Sequence, residues 1–294
     1  MYNFLRLLAL LALAGLGLGW YLTAPRGAAP DVVAGLSGDA ARGERIFHAT
    51  GCAGCHAAEG ATGDARLELG GGRRLVSDFG PFMAPNISPH PEHGIGGWSA
   101  VDLVNAMQHG VSPQGRHYYP SFPWTSYALM EVGDIFDLKA YLDTLPAVDR
   151  PSAAHQLPFP FGFRRLIGGW KLLHHRPEFH LGGPGLSAEV MSGRYLVEAM
   201  AHCAECHTPR GPLGGLERGR WMAGAPNPSG DGRIPAIDPA NLSWSESEIA
   251  YYLETGFTPT FDSAGGSMAE VIRSLSQLEP EDRRAIAAYL KALR

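Results

Sequence analysis

Two copies of the pattern C-x-x-C-H constrain this chain more than any other feature. They are Cys52-Ala53-Gly54-Cys55-His56 and Cys203-Ala204-Glu205-Cys206-His207, and together they contain all four cysteines. Two thiols three positions apart lie on about one helical turn, so both can form thioethers with the vinyl groups of one porphyrin. The imidazole that follows can bind the iron as proximal ligand. Each motif therefore predicts one covalently attached haem c.

Two other uses of paired cysteines fit this pattern less well. A single tetrahedral zinc site could use four thiolates, but zinc-binding pairs usually lie closer together and need no following histidine. A thioredoxin-like dithiol would explain one pair, but not two pairs that are each followed by histidine.

Residues 1–24 are predicted to be a membrane anchor or a signal peptide. The stretch from Phe4 to Leu22 is apolar except for Arg6, and Trp20 and Tyr21 stand at its far end. This length approaches the roughly 20 residues needed to cross a bilayer, and terminal aromatic residues suit its interface. Because Leu22-Thr23-Ala24 is a poor cleavage site, we favour a retained anchor. In either case the remainder of the chain is expected to be exported.

The rest of the sequence reads as two copies of one domain, residues 39–149 and 188–294. A linker (25–38) precedes the first copy, and a connector rich in proline and glycine (150–187) joins the two. Gly43 and Gly193 lie nine and ten residues before their first cysteines, and both copies end in Ala-Tyr-Leu. An early glycine and a late tyrosine suit two helices that cross closely. We therefore predict a mainly α protein with two tandem class I cytochrome c domains.

Local signals place the helices of both domains. Capping and apolar periodicity predict helices over residues 39–51, 99–109, 133–145 and 187–201, and a final helix from Pro280. The centre of the connector, residues 161–175, is apolar enough to pack on both domains. Its His174 and His175 are expected to be an exposed polar pair.

Met268 is the predicted sixth ligand of the second haem iron. It stands in the glycine-rich run Gly265-Gly266-Ser267-Met268, 21 residues before Tyr289. We expect this run to be a loop that brings the thioether to the iron face opposite His207. Ligation by histidine and methionine is common in electron-transfer haems and raises the potential.

The sixth ligand of the first iron is harder to assign. The matching run, residues 119–124, carries Phe122, which cannot bind iron. We predict Met130, because a flexible thioether where the chain enters the last helix can reach the iron. Met130 and Leu278 both lie 11 residues before their tyrosines, so a core role for Met130 stays open. The other candidates are an open site, Met83, Met107, His90, His93 and His117.

The net charge of −5 and the lack of a basic cluster exclude nucleic acid as an expected partner. No arrangement of nucleophile and base stands out in the sequence, which favours electron transfer over substrate chemistry. The alternative is a dihaem enzyme, peroxidase-like or oxidising an inorganic sulfur compound, with an open first haem.

These motifs resemble the multihaem cytochrome c subunits of bacterial membrane-bound dehydrogenases that oxidise alcohols, aldehydes or gluconate. The likeness covers nearly all of the chain beyond the anchor. It rests on the runs Pro85-Asn86-Ile87-Ser88-Pro89, Gly94-Ile95-Gly96-Gly97-Trp98-Ser99, Tyr119-Pro120-Ser121-Phe122-Pro123, Cys203 to Arg210 and Met268-Ala269-Glu270-Val271. Those subunits usually carry three haems and usually offer methionine where this chain has Phe122. The resemblance implies a periplasmic electron carrier, anchored in a bacterial inner membrane. It would carry electrons between a partner dehydrogenase and a quinone, another cytochrome or an oxidase of the respiratory chain.

Overall fold

The computed structural model describes residues 1–228, 230 and 232–293. It is mainly helical, with two short hairpins. The helices of the N-terminal part are α1 (Tyr2–Leu22), α2 (Ala40–Thr50), α3 (Cys52–His56), α4 (Ala100–His109), α5 (Trp124–Tyr127), α6 (Val132–Leu142) and α7 (Leu166–His174). Those of the C-terminal part are α8 (Ala188–Arg194), α9 (Ala204–His207), α10 (Glu246–Thr255), α11 (Gly266–Leu275) and α12 (Pro280–Ala292). Strands β1 (Arg74–Leu75) and β2 (Phe82–Met83), and β3 (Ala225–Pro226) and β4 (Arg233–Ile234), form the antiparallel hairpins.

In each domain the first helix crosses the last helix at a glycine. A Cβ on Gly43 of α2 would lie 2.0 Å from the carbonyl oxygen of Asp137 in α6. A Cβ on Gly193 of α8 would lie 1.8 Å from the carbonyl oxygen of Ala285 in α12. Both distances are far below van der Waals contact, so only glycine allows these backbones to approach. The close helix crossing expected from the sequence is confirmed in both domains.

The additional residue between Gly193 and Cys203 forms a π-helical turn. Residues Tyr195–Met200 continue α8 with π-type winding, whereas α2 stays α-helical to its end. A π turn accommodates one extra residue within a helix without breaking it. The difference of one residue between the two sequence spacings therefore has a local structural cause.

All five predicted helices are present, with one clear difference at an end, and helix α11 was not predicted. A capping box of Ser99 and Asp102 begins α4, and one of Ser245 and Glu248 begins α10. The last helix of the first domain ends at Leu142 rather than Leu145. The expectation that Met268 lies in a loop is wrong, because α11 already begins at Gly266.

The two domains meet through pairs of contacts related by an approximate two-fold axis. Arg45, two residues after Gly43, makes two hydrogen bonds of 2.6 and 2.8 Å to Asp282 in the other domain's last helix. Tyr195 holds the matching position after Gly193, and its hydroxyl donates to Asp134 of the first domain. Asp134 and Asp282 each lie seven residues before the tyrosine of their own domain. The interface is therefore self-complementary, as in a symmetric dimer.

Replacing Arg45 with alanine tests this interface. The carboxylate of Asp282 is largely buried, with 10% of its side chain exposed, whereas 45% of the Arg45 side chain is exposed. Arg45→Ala leaves this carboxylate without its partner, and we expect a loss of about 1–2 kcal/mol in the free energy of unfolding. The control is Arg284→Ala, which breaks an exposed pair with Glu281 and should cost less than about 0.5 kcal/mol. Equal losses in denaturant unfolding would show that the Arg45 pair adds nothing to the interface.

The N-terminal helix α1 has no buried residue. Among the described residues it is the one helix that is long and apolar enough to cross a membrane, by length and composition alone. Its end is held by the first domain, because the carbonyl oxygen of Thr23 lies 3.0 Å from Nε2 of His117. The linker that follows is also attached, through a 2.6 Å hydrogen bond from the Ala28 amide to Asn105.

The connector contacts both domains, as expected. Trp170 in α7 packs edge-on against Trp124 of the first domain, with ring centroids 6.1 Å apart. The indole nitrogen of Trp170 donates a 2.8 Å hydrogen bond to the carbonyl of Leu213 in the second domain.

Candidate haem sites

The histidine of each C-x-x-C-H motif is oriented by the same backbone contact. Nδ1 of His56 lies 2.8 Å from the carbonyl oxygen of Pro85, and Nδ1 of His207 lies 2.8 Å from that of Pro235. A carbonyl can only accept, so Nδ1 carries the proton and Nε2 keeps its lone pair for a metal. Such a bond fixes the ring orientation and raises the basicity of the ligand.

Burial keeps both imidazoles in the form that binds a metal. It lowers the pKa of His56 and of His207, and the hydrogen bond to each proline carbonyl opposes that shift only in part. Neutral imidazole is the form that can donate an electron pair to iron.

The four cysteines form no disulfide with one another and lie in two separate pairs. Burial raises the pKa of Cys52 to about 11 and that of Cys203 to about 12. Within residues 1–228, 230 and 232–293, no group of three or more His, Cys, Asp or Glu side chains is arranged to hold a metal ion. The geometry is that of two paired-thiol sites, each beside a histidine with a free Nε2, and these residues fit haem c.

The loop that supports each histidine is built alike in the two domains. The amide of Gly71 donates to the carbonyl of His56 at 2.8 Å, and that of Gly224 donates to His207 at 2.7 Å. Both glycines adopt positive φ, 69° and 77°, a conformation that glycine reaches without steric cost. Each glycine lies shortly before the first strand of a hairpin, β1–β2 or β3–β4. These hairpins were not predicted from the sequence.

Met268 lies in the first turn of α11 and is half-buried against the apolar core. Ile272 and Leu275, four and seven residues further on, are buried and share its helix face. The other face of α11 turns to the first domain, where Glu270 accepts a 2.6 Å hydrogen bond from Arg66. Helix α11 thus has one face toward its own core and the other toward the neighbouring domain.

Phe122 occupies the position in the first domain that Met268 holds in the second. An isolated β-bridge joins Val111 to His117, and an equivalent bridge joins Phe257 to Ser263. Phe122 lies five residues after the first bridge, and Met268 lies five residues after the second. The bridges pair Phe122 itself with Met268, whereas counting back from the two tyrosines had matched only the run 119–124.

Met130 corresponds to Leu278 rather than to Met268. Both side chains are buried, with 3% and 4% exposed. The Met130 carbonyl accepts a 2.7 Å hydrogen bond from Gln108, and Arg283 donates to the Leu278 carbonyl. Each residue stands immediately before the N-cap of the last helix of its domain.

The remaining candidates for the sixth ligand of the first iron make other contacts within the protein. Met107 is buried on the apolar face of α4. The amide of Met83 donates to His155. His90 and His93 stack on each other, with ring centroids 5.2 Å apart, and both approach Asp149. His117 contacts Thr23, as described above.

The expectation of an exposed pair at His174 and His175 is wrong. Both are half-buried, and the His175 ring lies 4.9 Å from that of Trp124. The connector folds back on the first domain at this point, which covers both histidines in part.

His202, which immediately precedes Cys203, was not singled out from the sequence. Its φ of 45° is left-handed, as is the φ of 65° at Gly51, the equivalent residue of the first domain. Such a conformation is uncommon for a residue other than glycine. The His202 ring lies 5.6 Å from that of Tyr127 in the first domain, edge-on. The sequence signal that could have identified this position is that the first copy has Gly51 where the second copy has His202.

Each attachment motif faces the other domain. Glu205, inside the second motif, accepts a 2.7 Å hydrogen bond from Thr125 in α5. Gly54, at the equivalent place in the first motif, lies against Glu270 in α11. The approximate two-fold axis therefore brings both C-x-x-C-H motifs to the domain interface.

Comparison with known proteins agrees with this geometry. The family described as Cytochrome c matches residues 40–146 and 190–294. The chain is 58% identical over 284 residues to a "Diheme cytochrome c-type" protein of Cereibacter sphaeroides, covering 97% of this chain and 95% of that protein. It is 36% identical to the fructose dehydrogenase cytochrome subunit of Gluconobacter japonicus and 29% identical to the gluconate 2-dehydrogenase cytochrome c subunit of Pantoea cypripedii, each over 86% of this chain. The matches cover 52% and 59% of those two proteins, so the chain spans little more than half of their length.

Proposed function

The chain belongs to the cytochrome c family and carries two covalently bound haem c groups, and we propose that it transfers electrons between a partner dehydrogenase and the respiratory chain. The observation that carries this proposal is the pair of identical proximal arrangements at His56 and His207. The relatives add support, because cytochrome subunits of dehydrogenases are among them.

We propose the following roles for the site residues. Cys52 and Cys55, and Cys203 and Cys206, hold the two porphyrins, and the haem groups supply one-electron chemistry when bound. His56 and His207 are the proximal ligands, and the Pro85 and Pro235 carbonyls orient them. Met268 is the distal ligand in the second domain. The helix crossings at Gly43 and Gly193 support a class I cytochrome c fold for both domains.

We further propose that α1 anchors the chain in a bacterial inner membrane, with the two domains in the periplasm. The length and apolar character of α1 support the anchor. Covalent attachment of haem c, expected outside the cytoplasm, supports the location of the domains.

Purification of the full-length chain with its partner tests the proposal. We expect the chain, isolated from detergent-solubilised membranes of a strain that encodes it, to bring a dehydrogenase with it. Adding that dehydrogenase's substrate should reduce both haems, as followed by absorbance. A chain that is isolated without a dehydrogenase and turns over hydrogen peroxide or thiosulfate would contradict the proposal.

A second candidate function, a dihaem enzyme with an open first haem, is favoured by one observation. Phe122 stands where the second domain has Met268, and its phenyl ring offers no ligand atom. Its centroid lies 5.7 Å from the Tyr118 and Tyr127 rings, so that position is filled by aromatic side chains. Carbon monoxide binding by the reduced protein separates the two functions, since a protein with both irons six-coordinate does not bind it readily.

Met130→Leu tests the methionine that the sequence suggested for the first iron. Because Met130 occupies the position of Leu278, we expect the variant to keep the visible spectrum and the carbon monoxide stoichiometry of the wild type. Exchange of methionine for leucine in a core usually costs less than about 1.5 kcal/mol, so the fold should remain. Loss of a low-spin spectrum from one haem would instead identify Met130 as a ligand.

A further inference from the structure

The connector differs in charge from the rest of the chain. Residues 150–177 contain no aspartate or glutamate, although the whole chain has a net charge of −5. Their basic residues are Arg150, Arg164, Arg165, Lys171 and Arg176. A segment of this kind produces a positive potential that attracts anionic surfaces.

The same segment exposes large apolar side chains. Phe159 and Phe163 are 94% and 57% exposed, and Leu166 and Leu173 are 49% and 62% exposed. The two leucines are seven residues apart, so they share one face of α7. Gly169 lies between them, and a Cβ there would meet no atom within 4 Å. The outward face of α7 and the turns before it are thus apolar and uncovered.

Contacts with the end of α1 fix the position of this segment. The Arg165 guanidinium lies 4.1 Å from the centroid of the Trp20 ring and donates to the Trp20 carbonyl. Gly168 packs so closely on Thr23 that a Cβ would lie 2.2 Å from the Thr23 oxygen. Tryptophan and tyrosine at the end of a membrane helix lie at the level of the lipid headgroups. A segment that contacts Trp20 directly must lie near the same level.

We infer that residues 159–173, which we name the connector surface, lie on the bilayer as a second membrane contact. The inference rests on the proposed anchoring by α1. Phe159, Phe163, Leu166 and Leu173 enter the boundary between headgroups and acyl chains, as the apolar face of an interfacial helix does. Of the connector's basic residues, Arg150 and Arg176 are exposed and favour anionic phospholipids. Arg164 and Lys171 instead donate to backbone carbonyls of the first domain. This contact would hold the first domain against the membrane instead of leaving it tethered by a linker.

Photocrosslinking from lipid tests this inference on the full-length haem-loaded chain. The chain is placed in bilayers of phosphatidylcholine and phosphatidylglycerol that carry a diazirine near the ester end of one acyl chain. After illumination, lipid adducts are mapped by peptide mass spectrometry. We expect adducts on α1 and on the connector surface, and none on the peptide that contains Phe261. Phe261 is the matched control, because it is 86% exposed but belongs to the second domain.

The double variant Phe163→Ser, Leu173→Ser should reduce the adducts on the connector surface several-fold without changing those on α1. Phe261→Ser should change neither. Adducts on α1 with none on the connector surface would overturn this inference and leave the anchor intact. Absence of adducts from α1 as well would refute the proposed anchor itself.

Discussion

Replacing Gly193 with alanine is expected to destabilise the second domain strongly, because a Cβ at this glycine would meet the closest obstacle. The new Cβ would lie 1.8 Å from the Ala285 carbonyl oxygen and 2.8 Å from Cβ of Tyr289. Both obstacles belong to α12, and the nearer one is backbone, so α8 and α12 must move apart. Overpacking of this kind costs about 1–3 kcal/mol. We expect about 3 kcal/mol and a fall in Tm of roughly 10 °C for a protein of this size.

Gly133→Ala is the matched control for this prediction. Gly133 lies in α6, and a Cβ there would meet nothing within 4 Å. Alanine is favoured over glycine in a helix by about 1 kcal/mol, so this variant should be neutral or slightly more stable. Thermal unfolding followed in the haem absorption band, together with haem content per chain, measures both variants. A Gly193→Ala protein as stable as Gly133→Ala would show that the helices can separate without loss.

Replacing Met268 with alanine is expected to change one haem and leave the other as it was. If the thioether binds the second iron, the variant loses its sixth ligand, and the near-infrared band of His/Met ligation should weaken. The reduced variant should bind one more carbon monoxide per chain than the wild type. The potential of that haem should fall by on the order of 0.1 V, a modest part of the roughly 0.8 V range that axial ligands cover.

Two further variants make the Met268 result specific. Met268→His offers a nitrogen ligand, so we expect a low potential without the additional carbon monoxide site. Met191→Ala removes a methionine that is 44% exposed, and it should leave spectrum and potential unchanged. A Met268→Ala protein with the wild-type spectrum and potential would remove Met268 from the iron site.

The elements that could be predicted are those specified by residues close together in sequence. The two C-x-x-C-H motifs, the capping box at Ser99 and the apolar run of α1 each act within a few residues. The repeat extends further, but it too could be found by comparing positions, including the one-residue difference that became a π turn. The helix at Met268 was missed because Gly265 and Gly266 suggest a loop, whereas Ile272 and Leu275 supply the buried face that stabilises α11.

Sequence spacing gave only part of the information needed to assign the sixth ligands of the two irons. Counting back from Tyr141 and Tyr289 paired Met130 with Leu278 and matched the run 119–124, which contains Phe122, to the run that contains Met268. It did not show that the Met130 side chain is buried, as that of Leu278 is. The buried position of Met130 in the place of Leu278 is a property of packing between α4, α6 and their surroundings, which are distant in sequence.

The sequence by itself determined the chemistry that this chain can hold, since attachment of haem c depends on two thiols and an imidazole within five residues. Only the tertiary structure decided how the two copies meet. The Arg45–Asp282 and Tyr195–Asp134 contacts join residues more than 60 positions apart, and neither partner carries a local signal of the other. Long-range contacts of this kind place both attachment motifs at one interface, and they also place the connector beside Trp20.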